Sequence, residues 1–271
     1  MNQENYQYED RIIAFIDILG FRALINETVK DNVIQQEKLN DLVEVLTLIK
    51  KEFGKVHKDA ELPYSFMITY FSDSIVLSVK RHNNIGLLTI FEILKRIQIK
   101  LIERKILLRG GVVVGKLIHQ DNLILGPAMI EAYDLENKSA LYPRITIDPD
   151  VMEMSVKEHE LADNLFAIKD YDYQKTFEID FDNTYYIDYF SDVKEYLEDG
   201  DEIKYYKNLR SIVRNGVNRK DIGIRIKYMW MLKKFNTAKP SYIRDMAYKE
   251  FDEINEQVSS KIKSNKPSDY N

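Results

Sequence analysis

The chain contains no cysteine, a single tryptophan, and only 10 glycines and 6 prolines in 271 residues. Without cysteine there is no disulfide, no thiolate metal site and no cysteine nucleophile, and a reducing compartment fits. So little glycine and proline excludes a linker-rich or disordered chain. Histidine is also scarce. His57, His82, His119 and His159 are scattered, none has metal-ligand spacing with another, and none is assigned a role. No apolar run approaches the length of a membrane span. The polar, acidic opening MNQENYQYED is no signal peptide. The expectation is a soluble, cytoplasmic protein without a membrane partner, long enough for one large domain or a domain plus an extension.

The net charge of −5 argues against general nucleic-acid binding. The charge is unevenly spread: residues 148–202 are acidic and residues 203–236 basic. The plain reading of the basic stretch is a set of solvated helix faces. The sharper one is a patch that meets phosphate or an acidic neighbouring segment. Ile224, Ile226, Met229, Met231 and Leu232 accompany Trp230 there, which suits a helix packed on the domain or across a dimer.

The hydrophobic pattern predicts a central strand at RIIAFIDIL, then a helix from about Ala23 to Phe53 that stops at Gly54. YSFMITYFSDSIVLSV (64–79) reads as a hairpin, 84–105 as an amphipathic helix, and LLRGGVVVGKLI (107–118) as a strand ending in the turn HQDN. A helix over 126–140 has Pro127 in its first turn. A short strand at 144–148, a short helix PDVMEMS and further strands near 165–169 and 184–189 follow. The order is the ferredoxin-like β-α-β-β-α-β of an α+β fold with an added unit. The expected organisation is a domain over 1–195, a helical extension over 196–263 and a disordered tail over 264–271.

Two aspartates stand out against this pattern. Asp17 interrupts the apolar run RIIAFIDIL, and Asp73 sits at the hairpin turn FSDS between apolar strand residues. A charge in a buried strand is costly unless it is compensated. In β-α-β-β topology the first strand neighbours the hairpin, so the two carboxylates can converge. Close carboxylates raise one another's pKa or share a cation. Such a pair suits Mg²⁺ or Mn²⁺, which take few protein ligands and share the rest with phosphates. Two such ions roughly 4 Å apart can activate an attacking oxygen and stabilise a leaving one. The alternative is a turn residue at Asp73 and a capping or ion-paired aspartate at Asp17. In DILGFR, free backbone N–H groups at a strand-to-helix turn make an anion site.

These residues resemble class III nucleotidyl cyclases. AFIDILGF is similar to the family's F-x-D-I-x-G-F, and FSDSIVLS to its aspartate hairpin. LRGGVVVGKL is similar to R-I-G-I-H-x-G-x-V, and LILGPAMIEAYDLEN stands where the family has V-x-G-x-x-V-N-x-A-x-R-x-E. PRITIDPDVMEM matches its G-R-I-x-V-S segment. The matches run in order over about residues 10–190. The resemblance implies a class III cyclase catalytic domain with Asp17 and Asp73 holding two Mn²⁺ or Mg²⁺ ions and the backbone carbonyl of Ile18 as a further ligand. It implies that Ile18, Leu19, Gly20, Phe21 and Arg22 cradle phosphates and that Arg109 contacts the triphosphate. The plain alternative for Arg109 is an ordinary strand-end cation. Arg144, in the G-R-I match, is left out of the catalytic set.

The departures concern the base. Purine cyclases of the family carry Lys or Glu where this chain has Thr69, and often Asp where it has Leu123. The family's ribose and transition-state Asn and Arg fall near Ile130 and Asp134. This divergence resembles the pyrimidine cyclases of bacterial anti-phage Pycsar systems. That likeness implies cyclisation of CTP or UTP to the 3′,5′-cyclic monophosphate, a homodimer with composite active sites, and a separate effector that responds to the product. Thr69, Tyr70 and Tyr64 are the candidates beside the base. A purine cyclase with an atypical pocket, a catalytically silent nucleotide-binding module, and a nucleic-acid-binding basic segment are the competing readings.

Overall fold

Ile12 to Ile16 are apolar at every position because both faces of β1 (Glu9–Ile18) are covered. The computed structural model describes residues 6–59, 65–81, 84–120, 123–139, 141–163 and 173–243. After β1 come α1 (Phe21–Thr28), β2 (Val29–Lys30), β3 (Val33–Ile34), α2 (Gln36–Asp59), β4 (Met67–Phe71), β5 (Ser74–Lys80) and α3 (Asn84–Ile102). β6 (Leu108–Gln120), β7 (Leu123–Leu125), α4 (Pro127–Ser139), β8 (Ile145–Ile147) and α5 (Pro149–Asp163) follow. β9 (Phe177–Ile179), β10 (Tyr185–Ile187), α6 (Glu202–Val217) and α7 (Ile222–Ala238) come next, with single 3-10 turns at Tyr173–Thr176 and Lys194–Tyr196.

The main sheet runs β4-β5-β1-β6-β8-β10-β9, with β7 folded back on the end of β6. Among the described strands only β6 and β8 pair in parallel. Within β1-α-β4-β5-α3-β6, the strand order β4-β5-β1-β6 is the ferredoxin-like one, so the predicted α+β class is observed. On one face Ile12, Ala14, Ile16 and Ile18 pack against α2, α3 and α5. On the other Ile13 and Phe15 pack with Val76 and Val113 beneath Ala128 and Ala132 of α4. Each fully buried aliphatic side chain of this kind contributes about 1.5–3 kcal/mol.

Several boundaries differ from the sequence reading. The helix expected over 23–53 is two helices, split by the β2–β3 hairpin, whose turn residues Asp31 and Asn32 have positive φ. Asx residues tolerate that conformation, so DN punctuates the chain where hydrophobic period alone does not. Gly54 does not stop α2, which continues to Asp59. The short helix PDVMEMS extends to Asp163 as α5. The strand near 165–169 lies outside the described residues, as do Tyr64 and the tail; β9 is an addition to the expected elements.

The two C-terminal helices pack on this body. Tyr205, Tyr206, Leu209, Trp230, Met231 and Phe235 share a core with Ile99 and Ile102 of α3 and with Tyr186 of β10. Trp230 and Met231 are buried as expected of a packing helix, whereas Ile224, Ile226 and Met229 face outward. Arg144 is a fully buried structural cation, paired with Asp180 and Asp182.

Candidate active site

Strand register brings the two aspartates together. Asp17 lies opposite Ser74 of β5 on one side and opposite Arg109 of β6 on the other. The two-residue loop Ser72–Asp73, with Ser72 at φ 54°, places Asp73 just beyond that pairing. Ile18 N–H donates to the Asp73 carbonyl at 3.2 Å. The Asp17 and Asp73 carboxylates are within hydrogen-bonding reach of each other. Burial raises the Asp17 pKa, the Arg109 guanidinium opposes that shift, and the Asp73 charge adds to it.

Arg109 links this pair to a third carboxylate. Its Nε lies 3.0 Å from Asp17 Oδ2 and 2.7 Å from Glu136 Oε1. The Glu136 side chain is only 3% exposed, and its Oε1 makes no aligned hydrogen bond. Burial raises the pKa of Glu136, with Arg109 opposing and Asp17 reinforcing the shift. Glu136 can reach Arg109 because α4 lies almost on β6. A Cβ at Gly111 would stand 2.8 Å from the Ala132 carbonyl, so only glycine permits this approach.

The predicted phosphate turn follows directly. Gly20, at φ 80°, precedes α1. Leu19 N–H is spent on the Leu107 carbonyl. The N–H groups of Gly20, Phe21 and Arg22 have no partner among the described residues, and neither has the Ile18 carbonyl. The turn therefore presents donors to an anion and one acceptor to a cation.

This donor set fits a hard divalent ion. Two adjacent carboxylates supply oxygens and the Ile18 carbonyl is unspent, whereas the buried Glu136 oxygen is held against Arg109. Among the described residues no three acidic or imidazole groups form a ready-made metal cluster. Ligands beyond the two aspartates would then come from substrate and water, as is usual for Mg²⁺.

The predicted base-side residues part company. Thr69 shares the Asp17 face of the sheet, since its partner Val76 packs with Phe15. Its Oγ1 lies 2.9 Å from His119 Nε2, and His119 Nδ1 lies 2.7 Å from Ser78 Oγ. Arg11 Nε donates to that same hydroxyl at 2.9 Å. Burial lowers the His119 pKa to about 4, and Arg11 adds repulsion. Tyr70 is on the opposite face: it pairs with Ile75, packs on the α2–α3 core, and carries Lys50 over its ring. It does not join Asp17. Leu123 is exposed on β7, Ile130 is 65% exposed on the outside of α4, and Asp134 pairs with Lys138.

Three residues of this neighbourhood carry no role in the sequence reading. Glu136 continues the buried stripe Ala128–Ala132 at four-residue spacing, a signal that an acidic side chain enters the interior. His119 sits next to the end of an apolar strand and gives no signal. Lys227, on α7, is electrostatically linked to Arg109, Glu136 and Asp17, and only the tertiary fold reveals it.

No family model matches this sequence. No curated protein matches it either. Among solved structures the chain is similar to the adenylyl cyclase CyaB from P. aeruginosa, at 15% identity over 56% of this chain and 82% of that one, with a TM-score of 0.43. It is also similar to a bacterial light-regulated adenylyl cyclase, at 14% identity over 76% of this chain and 100% of that one, with a TM-score of 0.45. Likeness at this level has no bearing on activity or site residues.

Proposed function

We propose that this chain is a divalent-metal-dependent nucleotidyl cyclase. The observation that carries the reading is the convergence of Asp17 and Asp73 at one sheet end, beside Arg109 and the open Gly20–Arg22 turn. The ordered motifs over residues 10–190 support it from the sequence side.

The reaction is intramolecular. The ribose 3′-oxygen forms a bond to the α-phosphorus, the α-phosphorus bond to the bridging oxygen breaks, and pyrophosphate leaves. The hydroxyl proton passes to solvent. Mn²⁺ or Mg²⁺ held by Asp17, Asp73 and the Ile18 carbonyl would lower the hydroxyl pKa and offset phosphate charge. Arg109 and the N–H groups of Gly20, Phe21 and Arg22 bind the phosphates and meet the charge that develops on pyrophosphate. Glu136 holds Arg109 in place from beneath α4. Positioning and electrostatics supply most of the rate, as in other phosphoryl transfers.

The substrate is a pyrimidine triphosphate, CTP or UTP. This finer reading is supported by the side chains that stand where purine cyclases read their base. Thr69 is buried and engaged by His119, and Leu123 is an exposed apolar residue. Neither offers the Lys, Glu or Asp of a purine code. The working unit is a homodimer, supported by the exposed apolar side chains Leu123, Leu125, Ile130 and Tyr133 along β7 and α4. The motif resemblance supports a role for the product as a second messenger to a separate effector in bacterial anti-phage defence.

Separate incubation with ATP, GTP, CTP and UTP in Mn²⁺, with products resolved by chromatography, tests this. Cyclic CMP or cyclic UMP is the expected product. Cyclic AMP or cyclic GMP would keep the cyclase and overturn the pyrimidine assignment.

A further inference from the structure

The C-terminal helices are mounted directly beneath the catalytic end of the sheet. Their apolar core includes Leu107, two residues before Arg109, and Leu19, two residues after Asp17, packs against it. The placement of α7 is fixed at several points. Trp230 Nε1 donates to Asp180 Oδ2 at 2.6 Å, and Tyr142 stacks on the Trp230 ring with centroids 5.3 Å apart. Lys234 Nζ lies 2.9 Å from Glu178 Oε1. Tyr228 fills the space above Gly216 of α6, where a Cβ would lie 1.8 Å from its ring.

Lys227, Trp230 and Lys234 fall on one face of α7 at helical spacing. Two of them are committed to β9 and the loop after it. Lys227 is half-buried and makes no ion pair of its own among the described residues. Three charges of the active site act on it, together with that of Asp221 at the start of its own helix: burial and Arg109 lower its pKa, while Glu136, Asp17 and Asp221 oppose them. The site's positive charge is otherwise held by Arg109, which is shared between Asp17 and Glu136. On α4 no cation takes its place: Ile130 points outward and Lys138 is paired with Asp134.

We infer that Lys227 is a polyphosphate-contacting residue of this site, delivered in cis by α7 to the end of the sheet where Asp17 and Arg109 meet. On the cyclase reading, on which its catalytic part rests, its ammonium binds the triphosphate and meets charge developing on the leaving pyrophosphate. The working part of the basic 203–236 segment is then this one lysine. The C-terminal helices become part of the catalytic unit rather than an appendage.

The test compares the full chain with Lys227→Ala and Lys227→Arg. Binding of Mn²⁺-pyrophosphate is measured by titration calorimetry, and kcat and KM with the preferred triphosphate are measured separately. Lys227→Ala is expected to weaken pyrophosphate binding about tenfold or more and to lower kcat on the order of a hundredfold, with Lys227→Arg recovering part of both. Fluorescence of Trp230, the sole tryptophan, and the thermal midpoint are expected to stay as in wild type, showing α7 still docked. Pyrophosphate affinity and kcat of Lys227→Ala within about twofold of wild type would overturn the inference, as would a wild-type chain that binds no pyrophosphate. If wild type makes no cyclic nucleotide the cyclase reading falls, and the pyrophosphate comparison alone then decides Lys227.

Discussion

Arg109 faces Asp17 across the β1–β6 pair, with Nε 3.0 Å from Oδ2, and carries Glu136 on the same nitrogen at 2.7 Å. One guanidinium thus serves two carboxylates, and a third, Asp73, stands beside Asp17. Three carboxylates therefore gather around this one guanidinium.

Removing the guanidinium therefore harms fold and function together. Arg109→Ala leaves Glu136 buried without its counter-charge, which costs about 3–5 kcal/mol. Glu136→Gln keeps the shape and removes the charge, so stability stays within about 1 kcal/mol. Activity nevertheless falls, because Arg109 loses its anchor. Urea denaturation of both single variants and the double variant checks this: the double is expected to be more stable than Arg109→Ala alone.

Metal binding is expected to strengthen with pH. The Asp17 and Glu136 pKa values are raised in the folded protein. The stability these groups contribute is full below the ordinary carboxylate range and is lost as pH rises through their raised values. A divalent ion binds the deprotonated pair and reverses that loss. Saturating Mn²⁺ should raise the thermal midpoint by about 5 °C at pH 7.5, and by much less at pH 5. Asp17→Asn and Asp73→Asn should each abolish the shift.

His119 sets a second pH dependence of opposite sign. Its folded pKa of about 4 lies below the ordinary value of 6.5. The contacts of the neutral ring contribute fully above pH 6.5, and stability is lost as pH falls from there toward 4, by on the order of 3 kcal/mol. Urea midpoints across that interval should slope downward in wild type and flatten in His119→Asn. An unchanged slope in the variant would exclude His119 as the cause.

Gly111 is a steric gate for Glu136. Gly111→Ala places a methyl group 2.8 Å from the Ala132 carbonyl, so α4 must move away from β6. The variant is expected to fold with a loss of about 1–3 kcal/mol, as for overpacking generally. Its activity should fall to that of Glu136→Gln. Turnover assays on both variants check the equivalence.

The parts of this protein that the sequence discloses are those set by local pattern. β1 is an apolar run with one misplaced charge, and the hairpin repeats that oddity at Asp73, so the pair is legible in the sequence alone. The ferredoxin-like order follows from alternating strand and helix periods. What stays hidden depends on tertiary approach. Glu136 is one acidic residue on a helix with several, and its burial arises from the glycine on a different strand. Lys227 lies in a basic run whose members look alike in sequence, and only the tertiary fold sets it apart, half-buried and electrostatically linked to Arg109, Glu136 and Asp17. Tyr70, expected beside the base, is turned to the far face from Asp17 by strand alternation. The β2–β3 hairpin reads as part of one long helix because Val29, Val33 and Ile34 continue the apolar count while lying exposed.

If Asp17 and Asp73 together make a cyclising centre, the products themselves show it most directly. The measurement is ³¹P resonance of CTP and UTP incubated with Mg²⁺ and wild type, Asp17→Ala or Asp73→Ala. The prediction is a cyclic phosphodiester and pyrophosphate in equal amounts from wild type with one of the two substrates, and neither product from either variant. Cyclic product persisting in Asp73→Ala, or released phosphate without any cyclic ester from wild type, would contradict it.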